Sequence, residues 1–185
     1  MKRDVSDKGI LGKFCTDICS IVERHCKYII VSGFFAIASG RSRGTEDIDM
    51  IIEKLDKGTF VIMHMDLKKH GFECMQTGNP SEAYDYLAEG SSLRYAKAKM
   101  PVPDMEIKFA KDELDIYQII NREKYKLTGL PVWFGPINFA IAFKEEYLKS
   151  DKDIADAKHL RIVYEDKISE KEINRIKSEI RRLRL

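Results

Sequence analysis

The sequence contains no run of eighteen apolar residues, so nothing in it reads as a membrane span. Cysteine is scarce: Cys15, Cys19, Cys26 and Cys74 are the whole supply. No apolar signal region follows Met1-Lys2-Arg3-Asp4-Val5-Ser6-Asp7, so a cytoplasmic location is expected, where a disulfide framework has no place. A zinc site would want Cys-x2-Cys pairs or histidines at ligand spacing. Cys15 and Cys19 are four apart, and His25, His64, His70 and His159 are scattered, so the cysteines read as small buried hydrophobes. Net charge is also nearly absent, at +2, which gives no global attraction to nucleic acid and leaves only local patches, such as the basic end Arg181-Arg182-Leu183-Arg184. Internal repeats and low-complexity segments are missing too.

What is present is a chain of 185 residues, 44% hydrophobic, long enough for one substantial core. Apolar residues at three-and-four spacing (Ile10, Leu11, Phe14, Cys15, Ile18, Ile21, Val22) predict a helix over 7–26. Strands are predicted over 28–32, 46–53, 91–97 and 104–110, with short ones near 72–75 and around Trp133. Asp56 is placed to cap a helix that Gly71 ends, and Asn79-Pro80 starts another. Pro101-Val102-Pro103 is read as a break. From Pro136 onward the pattern is helical, with Asp151 as a cap and Ser169 and Glu172 as a capping box. The expectation is an α+β fold, a mixed sheet flanked by helices, with residues 1–132 as core and 133–185 as a helical extension.

The chemistry is concentrated between Val31 and Glu53. A strand ends in Ser32-Gly33, a small-residue helix start follows, then Arg41-Ser42-Arg43-Gly44-Thr45, then a strand carrying Asp47-Ile48-Asp49. Side chains alternate across a strand, so Asp47 and Asp49 share a face and Ile48, Met50 and Ile52 take the other. Glycine lets backbone approach phosphates closely, and a helix start favours an anion. Paired carboxylates suit Mg²⁺, which takes a few carboxylates together with phosphate oxygens and water.

These residues resemble the nucleotidyltransferase superfamily, the group with the DNA polymerase β-like fold. The Arg-x-Arg-x-Thr-x-Asp lead-in (Arg41, Arg43, Thr45, Asp47) is similar to AbiEii-type toxins and their prokaryotic relatives. The resemblance implies NMP transfer from an NTP with Mg²⁺ or Mn²⁺, and Asp47, Asp49 and a third carboxylate as catalytic metal ligands. Glu106, in Met105-Glu106-Ile107-Lys108-Phe109, matches the third place, and Asp104 on the same face is its rival. Ser32, Gly33, Arg41, Arg43 and Thr45 would serve the nucleotide. A looser second element, from Gly135-Pro136 to Leu160, implies active-site roles for Lys144 and Asp153, with Asp156 as the competitor. The acceptor implied is an RNA such as tRNA, a protein or a small molecule, with an antitoxin as a possible partner. The alternative is a non-catalytic nucleotide-binding or antitoxin-like protein on the same fold.

Overall fold

The computed structural model describes residues 5–185, with side chains from residue 9 onward. In chain order the elements are α1 (Val5–Val22), β1 (Tyr28–Val31), α2 (Gly33–Ala38), β2 (Asp47–Ile52), α3 (Lys57–Lys69), β3 (Phe72–Cys74), α4 (Pro80–Ala88), β4 (Leu93–Lys97) and β5 (Met100–Phe109). Then come α5 (Glu113–Ile120), α6 (Ile137–Phe143), a π turn (Lys144–Leu148), α7 (Asp151–Val163) and α8 (Glu170–Arg184). The five strands form one sheet in the order β1-β2-β5-β4-β3. β2 and β5 run parallel, and the other neighbours are antiparallel. The fold is α+β.

Alternation decides what each sheet face does. Ile48, Met50 and Ile52 on β2 and Met105 and Ile107 on β5 are all buried, along with Leu93 and Tyr95 on β4. Helices cover this face. Phe60 of α3 and Tyr84 of α4 pack their rings on Phe109, and Phe14 of α1 meets Phe72 edge-on at 5.8 Å. Large rings bury much apolar area each, so this layer contributes strongly to the hydrophobic stabilisation. The opposite face carries Asp47 and Asp49, then Asp104, Glu106 and Lys108 alongside them. A second aromatic cluster of Phe35, Tyr125, Phe134 and Tyr164 joins α2 to the C-terminal helices, which pack on one another as α6 on α7 and α8.

Local signals set most boundaries. Asp56 accepts from the Thr59 N–H at the start of α3, and Asn79 caps α4 with Pro80 in its first turn. Gly71 takes a φ of +84° just past α3, a conformation that a Cβ would strain. α1 stops at Val22, short of 26, and Ile10 is exposed. Ser150, one residue before Asp151, caps α7. Ser169 caps α8, but Glu172 accepts from the side-chain amide of Asn138 at 2.9 Å rather than closing a capping box.

Two expectations fail for reasons of pairing. Pro101 and Pro103 do not break the chain, because β5 runs through them. Its continuous pairing with β2 begins only at Asp104, and β4 has a register shift at Ala96–Lys97. A proline in such an overhang has no ladder hydrogen bond to lose. Around Trp133 there is no strand. Phe134 makes isolated bridges to Ile30 and Glu123, and Gly135-Pro136 then turns the chain into α6.

His64 lies in the buried layer, with Nδ1 2.8 Å from the Tyr95 hydroxyl. Burial lowers its pKa from the ordinary 6.5, with Lys68 adding to the effect. The folded state therefore refuses a proton that the unfolded chain accepts, so this contribution to stability is complete above pH 6.5 and declines as pH falls below it. Denaturant unfolding at neutral and mildly acidic pH should show a smaller acid-side loss in His64→Gln than in the wild type. An identical loss in both would assign the acid sensitivity to other groups.

Candidate active site

The first component is the turn that ends β1. Ser32 has φ 66° and ψ −144°, a region that is nearly glycine-only, so the chain stores backbone strain here. The Ser32 side chain lies beside the Asp49 carboxylate and favours its charged form. At Gly33 an added Cβ would collide with the Arg43 guanidinium, which lies across the turn. Glycine here thus makes room for an arginine at the start of α2, where an anion would also be favoured. In Gly33→Ala the obstructing group is the far end of a flexible side chain. We expect a stability loss of only about 1 kcal/mol, while Arg43 is displaced and NTP binding weakens. Calorimetric titration beside a melt checks this; unchanged NTP affinity would remove Arg43 from the phosphate site.

The second component is the polar sheet face. Parallel pairing sets Asp47 beside Asp104 and Asp49 beside Glu106. Thr45 donates to the Asp47 carboxylate at 2.9 Å and to the Asp47 carbonyl at 3.0 Å, which fixes that side chain. Burial raises the Asp49 pKa, and the charges of Glu106 and Asp47 add to it. Asp104 is 4% exposed, and burial likewise raises its pKa against the opposing charge of Arg94. Its Oδ1 is buried without a hydrogen-bond partner. Glu106 behaves differently. Burial opposes its charge, but the neighbouring Lys108 ammonium, the Ser92 side chain and the charge of Arg94 outweigh that and lower its pKa. Lys108 Nζ is 2.7 Å from Glu106 Oε1.

The third component is a buried charge cluster. Asp156, fully buried on α7, receives Arg41 at 2.5 Å, Lys144 at 2.9 Å and Arg43 at 3.3 Å. Lys144 is itself only 1% exposed, and Asp153 lies 3.5 Å from its ammonium. Arg41 and Lys144 are therefore committed to a carboxylate inside the protein. Of the two candidate acids on α7, Asp156 holds the cations more closely, while Asp153 lines the smaller cavity.

Two cavities meet at Ser32 and Asp49. One, of about 400 Å³, is lined by Ser32, Gly33, Arg43, Thr45, Asp47, Asp49, Arg94, Asp104, Lys152 and Asp153. The other, of about 490 Å³, runs along β2 and β5 past Lys54 and Lys108 to Phe143, Lys144 and Tyr147. Asp104 lines the first of these, whereas Glu106 lines neither. Sequence reasoning passed over Arg94, Lys108 and Lys152. The alternation of Leu93 and Tyr95 put Arg94 on the polar face, but only the strand register shows that it stands opposite Glu106.

No protein-family model and no curated protein sequence matches the chain. Solved structures do. The solution structure of the antibiotic-resistance factor ANT(2'')-Ia superposes with a TM-score of 0.57 at 14% identity, over 95% of this chain and 93% of that one. ANT(2'')-Ia in its crystal complex with adenylyl-2''-tobramycin gives a TM-score of 0.54 at 15% identity, over 94% and 98%. The chain has the nucleotidyltransferase fold. A nucleotidyltransferase-like antigenic protein from Paracoccidioides brasiliensis adds a TM-score of 0.51 at 16% identity, over 97% and 89%. Within that fold, the strained turn and the acidic strand pair described above sit on a single face.

The donors on this face are carboxylate oxygens, the chemistry that Mg²⁺ and Mn²⁺ prefer. Among the described residues no three acidic, histidine or cysteine side chains converge as a metal cage. Mg²⁺ is normally held by one or two carboxylates and keeps several waters, so Asp47 and Asp49 fit such an ion, with water supplying the rest and phosphate oxygens replacing some of it when a nucleotide binds. Among the described residues no helix is long and apolar enough to cross a membrane.

Proposed function

We propose that the chain is a nucleotidyltransferase that moves an NMP from an NTP to an acceptor hydroxyl, with Mg²⁺ or Mn²⁺ bound at Asp47 and Asp49. The observation that carries this reading is the placement of both carboxylates on one sheet face, beside the Ser32–Gly33 turn and its overlying Arg43. The shared fold supports it, since ANT(2'')-Ia is seen with an adenylylated product. Ser32, Gly33 and Arg43 hold the phosphates, with Lys152 on the facing side of the cavity. Thr45 fixes the Asp47 carboxylate, and Ser32 stands beside that of Asp49.

In the reaction an acceptor oxygen bonds the α-phosphorus, the bond to the bridging oxygen breaks, and pyrophosphate leaves with its electron pair. The hydroxyl proton passes to a carboxylate of the sheet face, for which Asp104, lining the cavity with Asp47 and Asp49, is the candidate. A bound metal ion would supply charge neutralisation for the phosphates. The remainder is positioning and electrostatics, with no covalent protein intermediate.

The acceptor class divides into three. A small molecule fits the 490 Å³ cavity, and tRNA or a protein follows from the AbiEii-like lead-in, which also brings an antitoxin partner into question. The test is incubation with each labelled NTP, Mg²⁺ or Mn²⁺, and separate pools of tRNA, protein and small hydroxyl compounds. Label transfer into one pool is expected. NTP binding without transfer into any pool would favour the non-catalytic reading.

A further inference from the structure

A cation already stands among the carboxylates. Arg94 on β4 is directly opposite Glu106 on β5. Its guanidinium reaches Glu106 at 3.3 Å, Asp104 at 3.4 Å and Asp47 at 3.9 Å. Its backbone is pinned on the outer side, where the Arg94 N–H donates to the Gln76 side chain at 2.9 Å and its carbonyl accepts from Met75. Lys108 takes the remaining oxygen of Glu106. The side chains of Asp104 and Glu106 are therefore neutralised by the protein itself, while Asp47 meets the guanidinium only at 3.9 Å and Asp49 has no ion-pair partner among the described residues. The unpaired, buried Asp104 Oδ1 marks where this neutralisation is incomplete.

We propose that Arg94 is a positioning residue that replaces one metal ion, so that the chain holds a single divalent cation, at Asp47 and Asp49. This deepens the transferase reading and rests on it for its purpose, though not for its test. A guanidinium is always charged, and its planar fork suits carboxylates, so it gives the Asp104–Glu106 pair a permanent counter-charge that no chelator removes. Two metals otherwise flank an in-line displacement about 3.5–4 Å apart. With Arg94 in place, only the Asp47–Asp49 position is open.

The experiment counts Mn²⁺ bound per chain, from free Mn²⁺ by electron paramagnetic resonance, on the full chain without nucleotide. The wild type should bind one ion, and Asp49→Asn should lose it. Arg94→Gln should bind two, because the Asp104–Glu106 pair then lacks the guanidinium and is open to a second ion. Arg94→Lys keeps the charge and should bind one. Arg94 is 42% exposed in its side chain, so these variants should fold, and a melt confirms it. Two ions in the wild type, none in it, or a single ion in Arg94→Gln would each overturn the proposal. The count is independent of turnover. Counts as expected with no label transfer from any NTP would reject the transferase reading and leave the cation assignment standing.

Discussion

The Asp49→Asn variant is expected to lose at least about 10³-fold in nucleotidyl transfer, the kinetic equivalent of about 4 kcal/mol, while its thermal melt stays level or rises. The two effects separate because burying the carboxylate costs the fold more than Lys108 and Ser32 return. Burial and the charge of Glu106 raise its pKa, so a charged Asp49 is a cost to the metal-free folded state. Asparagine keeps the shape and removes that cost. Transfer rate against Mg²⁺ concentration, beside a melt with and without Mg²⁺ and NTP, reads both sides. The wild type should gain melting temperature with metal and NTP, and the variant should not. Near-normal, metal-independent turnover in Asp49→Asn would end the nucleotidyltransferase reading.

Asp156→Ala should do the reverse and damage the fold before the chemistry. It strands Arg41, Arg43 and Lys144 beside a fully buried position. Removing one partner of a buried ion pair costs about 3–5 kcal/mol, because the remaining charges are left unpaired out of water. The exposed pair Lys57–Asp85 is the control: Asp85→Ala should cost less than about 1 kcal/mol. Denaturant unfolding of both variants gives the comparison. Equal, small losses would show that the Asp156 cluster is solvated in practice. For the same reason Lys144→Ala is expected to lower stability as well as any nucleotide affinity, so turnover alone does not report on Lys144.

The contrast between these two aspartates shows what the sequence made legible. Asp47 and Asp49 were readable because strand period is local: two residues apart means one face, whatever the rest of the chain does. The turn at Ser32–Gly33 and the caps at Asp56, Asn79 and Ser169 were readable for the same reason, since each is a short-range hydrogen-bonding or steric rule. Asp156 and Arg94 were not. Their roles depend on which helix packs against which turn and on strand register, and neither leaves a local trace. Lys144 and Asp153 were picked out by order along the chain, and each lines one of the two cavities. Order alone did not show that Asp156 would be the closer partner. The prolines of β5 misled because a break is only one of the things proline permits, and an unpaired overhang is another.

Sheet order also has a consequence for how the site comes into being. β4 and β5 form a hairpin, whereas β2 reaches β5 only after the whole α3–β3–α4–β4 segment between them has been placed. Local pairings close faster than distant ones, because less chain entropy is lost before contacts reward it. Arg94 is thus expected to be opposite Glu106 before Asp47 and Asp49 arrive. The acidic strands then meet across a charge already in place, and their mutual repulsion is screened at the moment of assembly.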